Sequence, residues 1–345
     1  MDHPHGAGIL GWNRSRWTWA RLVVGAAILA FLVWQLGTGP FLEPLRLIDA
    51  WSLAAAAAIA VLTTVACAWR WRLVSRGLGT DLPLRGAVSA YYLSQFLNTV
   101  LPGGVLGDAH RAVRRGRDVG DIGHGLRAVV WERTAGQVVQ IALTMAVLLV
   151  MPSPVRSSMP VVVGVVVTGT LCAVFLVRAL PRFAPSALAR IARAVAEDLR
   201  EGLMARRAWS GIMLASTVVV TGHTATFLLA ARTAGSSASL VQMLPLALLV
   251  LLAMGLPTNI AGWGPREGVA AWLFAVAGLG AAQGVAIAVV YGVMALVATL
   301  PGAVVLLAIW LRRGSNRIAP DASASRSESD RRPPATADLG GITGG

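Results

Sequence analysis

Lysine is absent: all thirty basic residues are arginine. That excludes a Walker-type phosphate loop, which needs a lysine to reach the terminal phosphates. Charge of either sign is scarce, at 13% of residues, about half of what a soluble domain carries. So little polar surface cannot keep a chain this apolar in water. Cysteine is nearly absent too. Cys67 and Cys172 each lie inside an apolar run, which excludes a disulfide framework and leaves two small buried hydrophobes. There is no His-Glu-x-x-His zinc motif and no other cluster with metal-ligand spacing, so no cofactor is expected.

What is present is hydrophobic length. Apolar residues make up 56% of the chain, and mean hydropathy is +0.66. The stretches 53–68, 138–151, 161–177, 213–231, 240–256 and 285–311 are nearly uncharged. A helix needs roughly 20 apolar residues to cross the hydrocarbon core, and these runs reach or approach that length. The net charge of +14 sits in the segments between them, so it reads as membrane orientation and not as a nucleic-acid surface. The segment Trp17–Trp34 resembles a signal sequence, but no small-residue cleavage site follows it, so it reads as a retained first span.

The arginines orient the chain by the positive-inside rule. Arg14, Arg16 and Arg21 place the N-terminus in the cytoplasm, with span one at about 19–37. The segment 38–50 is outside, and span two at about 51–69 ends at cytoplasmic Arg70, Arg72 and Arg76. A full crossing by 86–101 would put Arg111, Arg114, Arg115 and Arg117 outside. The stretch is also short and polar, with Ser89, Tyr91, Tyr92, Ser94, Gln95, Asn98 and Thr99. A re-entrant helix turning at Pro102-Gly103-Gly104 resolves both problems, because irregular backbone at membrane depth is tolerated beside a cavity. Spans at 127–151, 160–178, 211–231 and 285–311 follow, and 240–279 forms a second re-entrant hairpin from the outer side, broken at 257–265. Residues 185–207 alternate apolar and charged positions at helical period, as in an amphipathic helix on the cytoplasmic surface.

The expectation is an all-α polytopic membrane protein with about six full transmembrane helices plus two inverted re-entrant helical hairpins, about 86–117 and 240–279. Its transmembrane domain is 1–313, with a disordered cytoplasmic tail at 314–345. Both termini are cytoplasmic and the chain lies in the cell membrane.

The two breaks share a pattern. Leu101-Pro102-x4-Gly107-x3-Arg111 and Leu256-Pro257-x4-Gly262-x3-Arg266 are superposable in sequence. Interrupted apolar segments in corresponding halves point to a transporter-type site. Each break carries an ionisable pair, Asp108 with Arg111 and Arg266 with Glu267. A third pair, Glu132-Arg133, follows the first hairpin. Arginine in hydrocarbon costs about 2.5–3.5 kcal/mol or more, so these residues face a cavity or a partner. The planar guanidinium fork suits phosphate, and helices starting after Gly107 and Gly264 would add main-chain N–H donors. The alternative for each pair is an ion pair that ties helices together. Tyr91, Tyr92, Gln95 and Asn98 line the cavity or pack in the core, and mid-span His223 is bonded to a helix or relays protons. Arg114, Arg115 and Arg117 read as cytoplasmic anchors.

The run Asn98-x2-Leu101-Pro102-Gly103-x3-Gly107-Asp108-x2-Arg111, with Glu132-Arg133 downstream, resembles the lysylphosphatidylglycerol synthase transmembrane-region family. So does Leu256-Pro257-x4-Gly262-x-Gly264-x-Arg266-Glu267-Gly268. The likeness covers about residues 15–313. It implies an integral membrane fold with two re-entrant hairpins that moves lipids between leaflets. Asp108 stands where the family more often has Glu, and Pro265 stiffens the second break. The residues after Arg313 are too few for an aminoacyltransferase, so lipid aminoacylation is not carried over.

The function expected is therefore flipping or scrambling of an anionic phospholipid or polyprenyl-phosphate-linked lipid, without enzymatic activity. A membrane-embedded enzyme acting on lipid, and a non-transporting partner of a lipid synthase, stand as alternatives. A homodimer or a lipid-synthase partner is left open.

Overall fold

A computed structural model describes residue 23 and residues 25–101, 104–151, 198, 206–255 and 263–318. It contains helices and no strand among the described residues. The chain divides into two compact units, 1–303 and 304–345. The described part of the second unit is the C-terminal stretch of the last helix.

The helices α1 (Gly25–Leu36) and α2 (Gly39–Leu42, extended by a 3-10 turn at Glu43–Leu47) meet at a bend of 115°. Proline near the N-terminal end of each short piece, Pro40 and Pro44, starts the turn without losing a needed N–H. The segment 38–50, read from sequence as a plain external loop, is therefore mostly helical turn. Then follow α3 (Ala50–Gly77), α4 (Leu84–Val100), α5 (Leu106–Asp118) and α6 (Ile122–Val150). The Asp49 side chain caps α3 by accepting from the Ser52 N–H at 2.9 Å, and Asp121 caps α6 by accepting from the His124 N–H at 3.1 Å. The second half comprises α7 (Arg206–Thr233), α8 (Leu240–Met254), α9 (Pro265–Val276) and α10 (Ala281–Ile318).

Four helical stretches are long and apolar enough to cross a membrane: Ala50–Gly77, Ile122–Val150, Ala208–Thr233 and Ala281–Arg312. The bent pair Gly25–Leu36 and Gly39–Leu47 passes the same test only when its two pieces are taken together, as a broken span or a re-entrant loop. The four match the expected spans 51–69, 127–151, 211–231 and 285–311 with shifted ends, and the bent pair overlaps the expected span 19–37. Helix α3 continues to Gly77, eight residues beyond the end read from the arginines, and α10 runs to Ile318. The expected span 160–178, the amphipathic helix 185–207 except Asp198 and the first residues of α7, and tail residues 319–345 lie outside the described residues.

Two shorter helix pairs fold back on themselves. In the first, α5 returns along α4 so closely that a Cβ on Gly107 would strike the Ser94 carbonyl oxygen. Only glycine permits that approach. The Asn98 Oδ1 accepts from the Gly107 N–H at 2.8 Å and closes the turn. In the second, Gly264 takes φ +98° at the start of α9, a left-handed conformation that side chains resist. Its N–H donates to the Glu267 carboxylate at 2.6 Å.

Each hairpin is packed on different long helices. Trp71, Tyr91, Ala112 and Ala128 bury the first against α3 and α6. Phe227, Leu246, Phe274 and Tyr291 bury the second against α7 and α10. Between the halves, α3 and α7 approach through Gly211, against Leu73, and Gly222, against Thr63. Small residues at crossings are how helices associate where burial of apolar surface gives no drive.

Candidate functional site

Between the two hairpins lies a cavity of about 330 Å³, within the size range of ligand sites. Helices α3, α4, α6, α7, α8 and α10 all contribute to its wall, together with Trp263 and Arg266 at the start of α9.

The first hairpin brings most of the sequence-derived candidates into one ionic network. Glu132, wholly buried on α6, accepts from the Arg70 Nε at 2.9 Å and from the Arg111 Nη2 at 3.0 Å. It also accepts from the Tyr91 hydroxyl at 3.2 Å. Asp108, one helical turn before Arg111, accepts from Arg111 at 3.0 Å and pairs with Arg133. Ser94 donates to it at 3.0 Å, and Asn98 donates to it at 3.3 Å. Three arginines thus share two carboxylates, and the network carries a surplus positive charge. Arg111 stacks on Trp71 at 4.5 Å and Tyr91 at 4.3 Å, and its Nε and Nη1 have no hydrogen-bond acceptor among the described residues. The aromatic faces supply the negative potential that those nitrogens lack.

The second hairpin repeats the theme with fewer charges. Arg266 donates through Nε to Glu267 at 2.9 Å and lies over Trp263 at 4.9 Å and Tyr291 at 5.7 Å. The two arginines at matched positions of the sequence repeat, Arg111 and Arg266, are thus each set against one tryptophan and one tyrosine. Tyr291 in turn shares a 3.2 Å hydrogen bond with the His223 Nδ1, so His223 meets a side chain of the neighbouring helix α10. A Cβ on Gly292 would strike the Arg266 guanidinium, and one on Gly136 would meet Arg70. Each of these glycines is a notch in which a guanidinium lies flat on a helix.

The structure sorts the candidates by position. Asn98, Arg133 and Arg266 line the cavity, while Asp108, Glu132 and Glu267 stand behind the wall. Arg111 is 1% exposed and also lies behind it, held between carboxylates. Arg133, its side chain 49% accessible, faces the cavity instead. Gly107 and Gly264 occupy the starts of α5 and α9, and Gly262 lies outside the described residues. Tyr91 and Gln95 line the cavity; Tyr92 does not.

Two arginines read as cytoplasmic flanks are buried. Arg70 lies within α3, bonded to Glu132 and to the Ser216 hydroxyl at 3.1 Å. Arg115 donates to the Asp81 carbonyl at 2.6 Å and ties α5 to the loop before α4. A signal for Arg70 was present: Thr63, Cys67, Arg70 and Val74 fall on one buried helical face.

Helical spans surrounding an internal cationic cavity make this a multi-pass membrane protein. The sequence profile of the lysylphosphatidylglycerol synthase TM region matches residues 18–302, and the chain belongs to that family. The family ties it to lipid metabolism. No curated protein and no solved structure matches it significantly.

Proposed function

We propose that the protein carries an anionic lipid between the leaflets of the cell membrane and does no covalent chemistry on it. In this reading six spans and two oppositely inserted re-entrant hairpins enclose the cavity within a 1–313 transmembrane domain, and both termini are cytoplasmic. The observation that supports it is the sidedness of the charges. Arg70, Arg133 and Arg266 reach the cavity wall from α3, α6 and the second hairpin, whereas the carboxylates that neutralise them stand behind it. A dry ion-pair network would hide both signs; this one leaves the Arg133 side chain 49% accessible on a wall that Arg70 and Arg266 also line, around a space sized for a headgroup. Arg111 acts from behind, fixing Asp108 and Glu132 and through them Arg133 and Arg70.

The test is lipid movement in reconstituted vesicles. Arg133→Gln and Arg266→Gln should each slow translocation of an anionic lipid roughly ten- to a hundredfold, the value of one charge-assisted hydrogen bond. Arg→Lys should rescue only in part, because an ammonium cannot bind two oxygens in a fork. Exposed Arg114 and Arg312 serve as controls. Wild-type rates from both glutamine variants in folded protein would make the arginines purely structural.

A further inference from the structure

Resting on the lipid-carrier reading, we propose that the cavity selects a hydroxyl-rich phosphodiester headgroup, such as a glycerol or sugar phosphodiester, and rejects headgroups bearing an amine. The family name points to an aminoacylated lipid; the wall points elsewhere.

The first ground is charge. No acidic residue lines the cavity among the described residues. The sequence of the two breaks outside the described residues, 102–103 and 256–262, contains none either. The three nearby carboxylates are already bonded to arginines, with side-chain accessibilities of 13% for Asp108 and 0% for Glu132 and Glu267. An ammonium entering this space would meet three guanidinium groups and no free anion, and in a low-dielectric interior that repulsion is not screened.

The second ground is the neutral part of the wall. Gln137 and Gln140, one and two turns of α6 beyond Arg133, line the cavity, and their amides have no hydrogen-bond partner among the described residues. Gln95, also on the wall, accepts from the Thr64 hydroxyl at 3.1 Å, so its oxygen is engaged and its amide N–H2 remains to donate. Around them Thr63, Thr99, Thr226 and Thr299 donate their protons to carbonyls of their own helices, so their oxygens are free only to accept. Polar groups left unpaired in a membrane interior are costly. Donating amides beside accepting hydroxyls match a ligand group that both accepts and donates, which is an alcohol. The arginines take the phosphate, and the glutamine–threonine wall takes the hydroxyls.

The experiment measures co-purification of defined lipids with the full-length protein in nanodiscs of phosphatidylcholine. Phosphatidylglycerol should bind at least about tenfold better than lysyl-phosphatidylglycerol, which adds an amine, and than phosphatidic acid, which lacks the hydroxyls; unpaired polar groups in a built site discriminate at least this well. Gln140→Glu, which puts a carboxylate on the wall, should raise lysyl-phosphatidylglycerol binding. Gln137→Leu should weaken phosphatidylglycerol and leave phosphatidic acid unchanged. Equal or tighter binding of lysyl-phosphatidylglycerol by the native protein overturns the amine exclusion, and parity of phosphatidic acid overturns the hydroxyl recognition. Retention of none of these lipids brings down the carrier reading and this inference with it. Soluble glycerophosphoglycerol binding as tightly as the lipid would overturn the lipid reading alone, leaving the headgroup chemistry standing.

Discussion

Glu132→Gln is the most informative single change for the fold. The native carboxylate is wholly buried and joins α6 to α3 through Arg70, to α5 through Arg111 and to α4 through the Tyr91 hydroxyl. The amide is nearly isosteric, so cavity formation plays no part. It removes the negative charge and turns one acceptor into a donor that faces an arginine. Arg111 retains Asp108, but Arg70 is left with the Ser216 hydroxyl at 3.1 Å and the Cys67 sulfur at 3.8 Å. Removing one partner of a buried pair costs about 3–5 kcal/mol. At about 2 °C per kcal/mol, the slope for larger domains, the melting temperature should fall by roughly 6–10 °C. The assay is tryptophan-fluorescence melting of detergent-solubilised protein, run as a double-mutant cycle with Arg70→Met. The double variant should be more stable than the sum of the single changes allows, by about 1–3 kcal/mol. Additivity within about 0.5 kcal/mol, or a Glu132→Gln melting point at the native value, would refute the network as described.

Two further outcomes follow from the geometry. Gly292→Ala puts a methyl group where the clamped Arg266 guanidinium lies, so headgroup binding should drop several-fold and the melting temperature should fall as well, overpacking costing about 1–3 kcal/mol; native lipid retention and melting temperature together would show that the notch is dispensable. Asp81, in the exposed loop between α3 and α4, is hydrogen-bonded by Arg76, which holds its carboxyl below the usual carboxylate range. Its contribution is present above the unfolded-state value and lost as the pH falls through the folded one. Protection factors against hydrogen exchange in residues 78–82 should therefore fall on acidification in the native protein and be low at all pH values in Asp81→Asn. Equal acid sensitivity in both would assign the effect to another group.

The breaks and the ionic candidates were readable from the chain because proline and glycine interrupt apolar helices locally, and because charges in such stretches are conspicuous. What stood hidden was helical phase relative to partners not adjacent in sequence. Glu132 and Arg133 are neighbours, yet about 100° of helix separates them, enough to send one side chain into the protein and the other into the cavity. Pattern alone made Arg111 the equal of Arg266. The packing of Trp71 and Tyr91 on one side and Glu132 on the other puts it behind the wall. Arg70 was misplaced because an arginine after a long apolar run followed by Arg72 and Arg76 has the look of a membrane flank. Only the carboxylate on α6, sixty-two residues away, reveals it as interior.

The glycine notches bear on how a headgroup could travel. Arg70 lies against Gly136 and is bonded to a carboxylate and a serine; Arg266 lies against Gly292 between a carboxylate and two rings. Side chains clamped on three sides cannot swing after a ligand. They are fixed mooring posts, and in the proposed carrier a passenger would have to be handed from one to the next. Of the three cavity arginines, Arg133 has the most open side chain and, among the described residues, a single ion-pair partner, Asp108. Under that proposal the length of one flexible arginine would set the longest stride the passenger takes while the helices stand still.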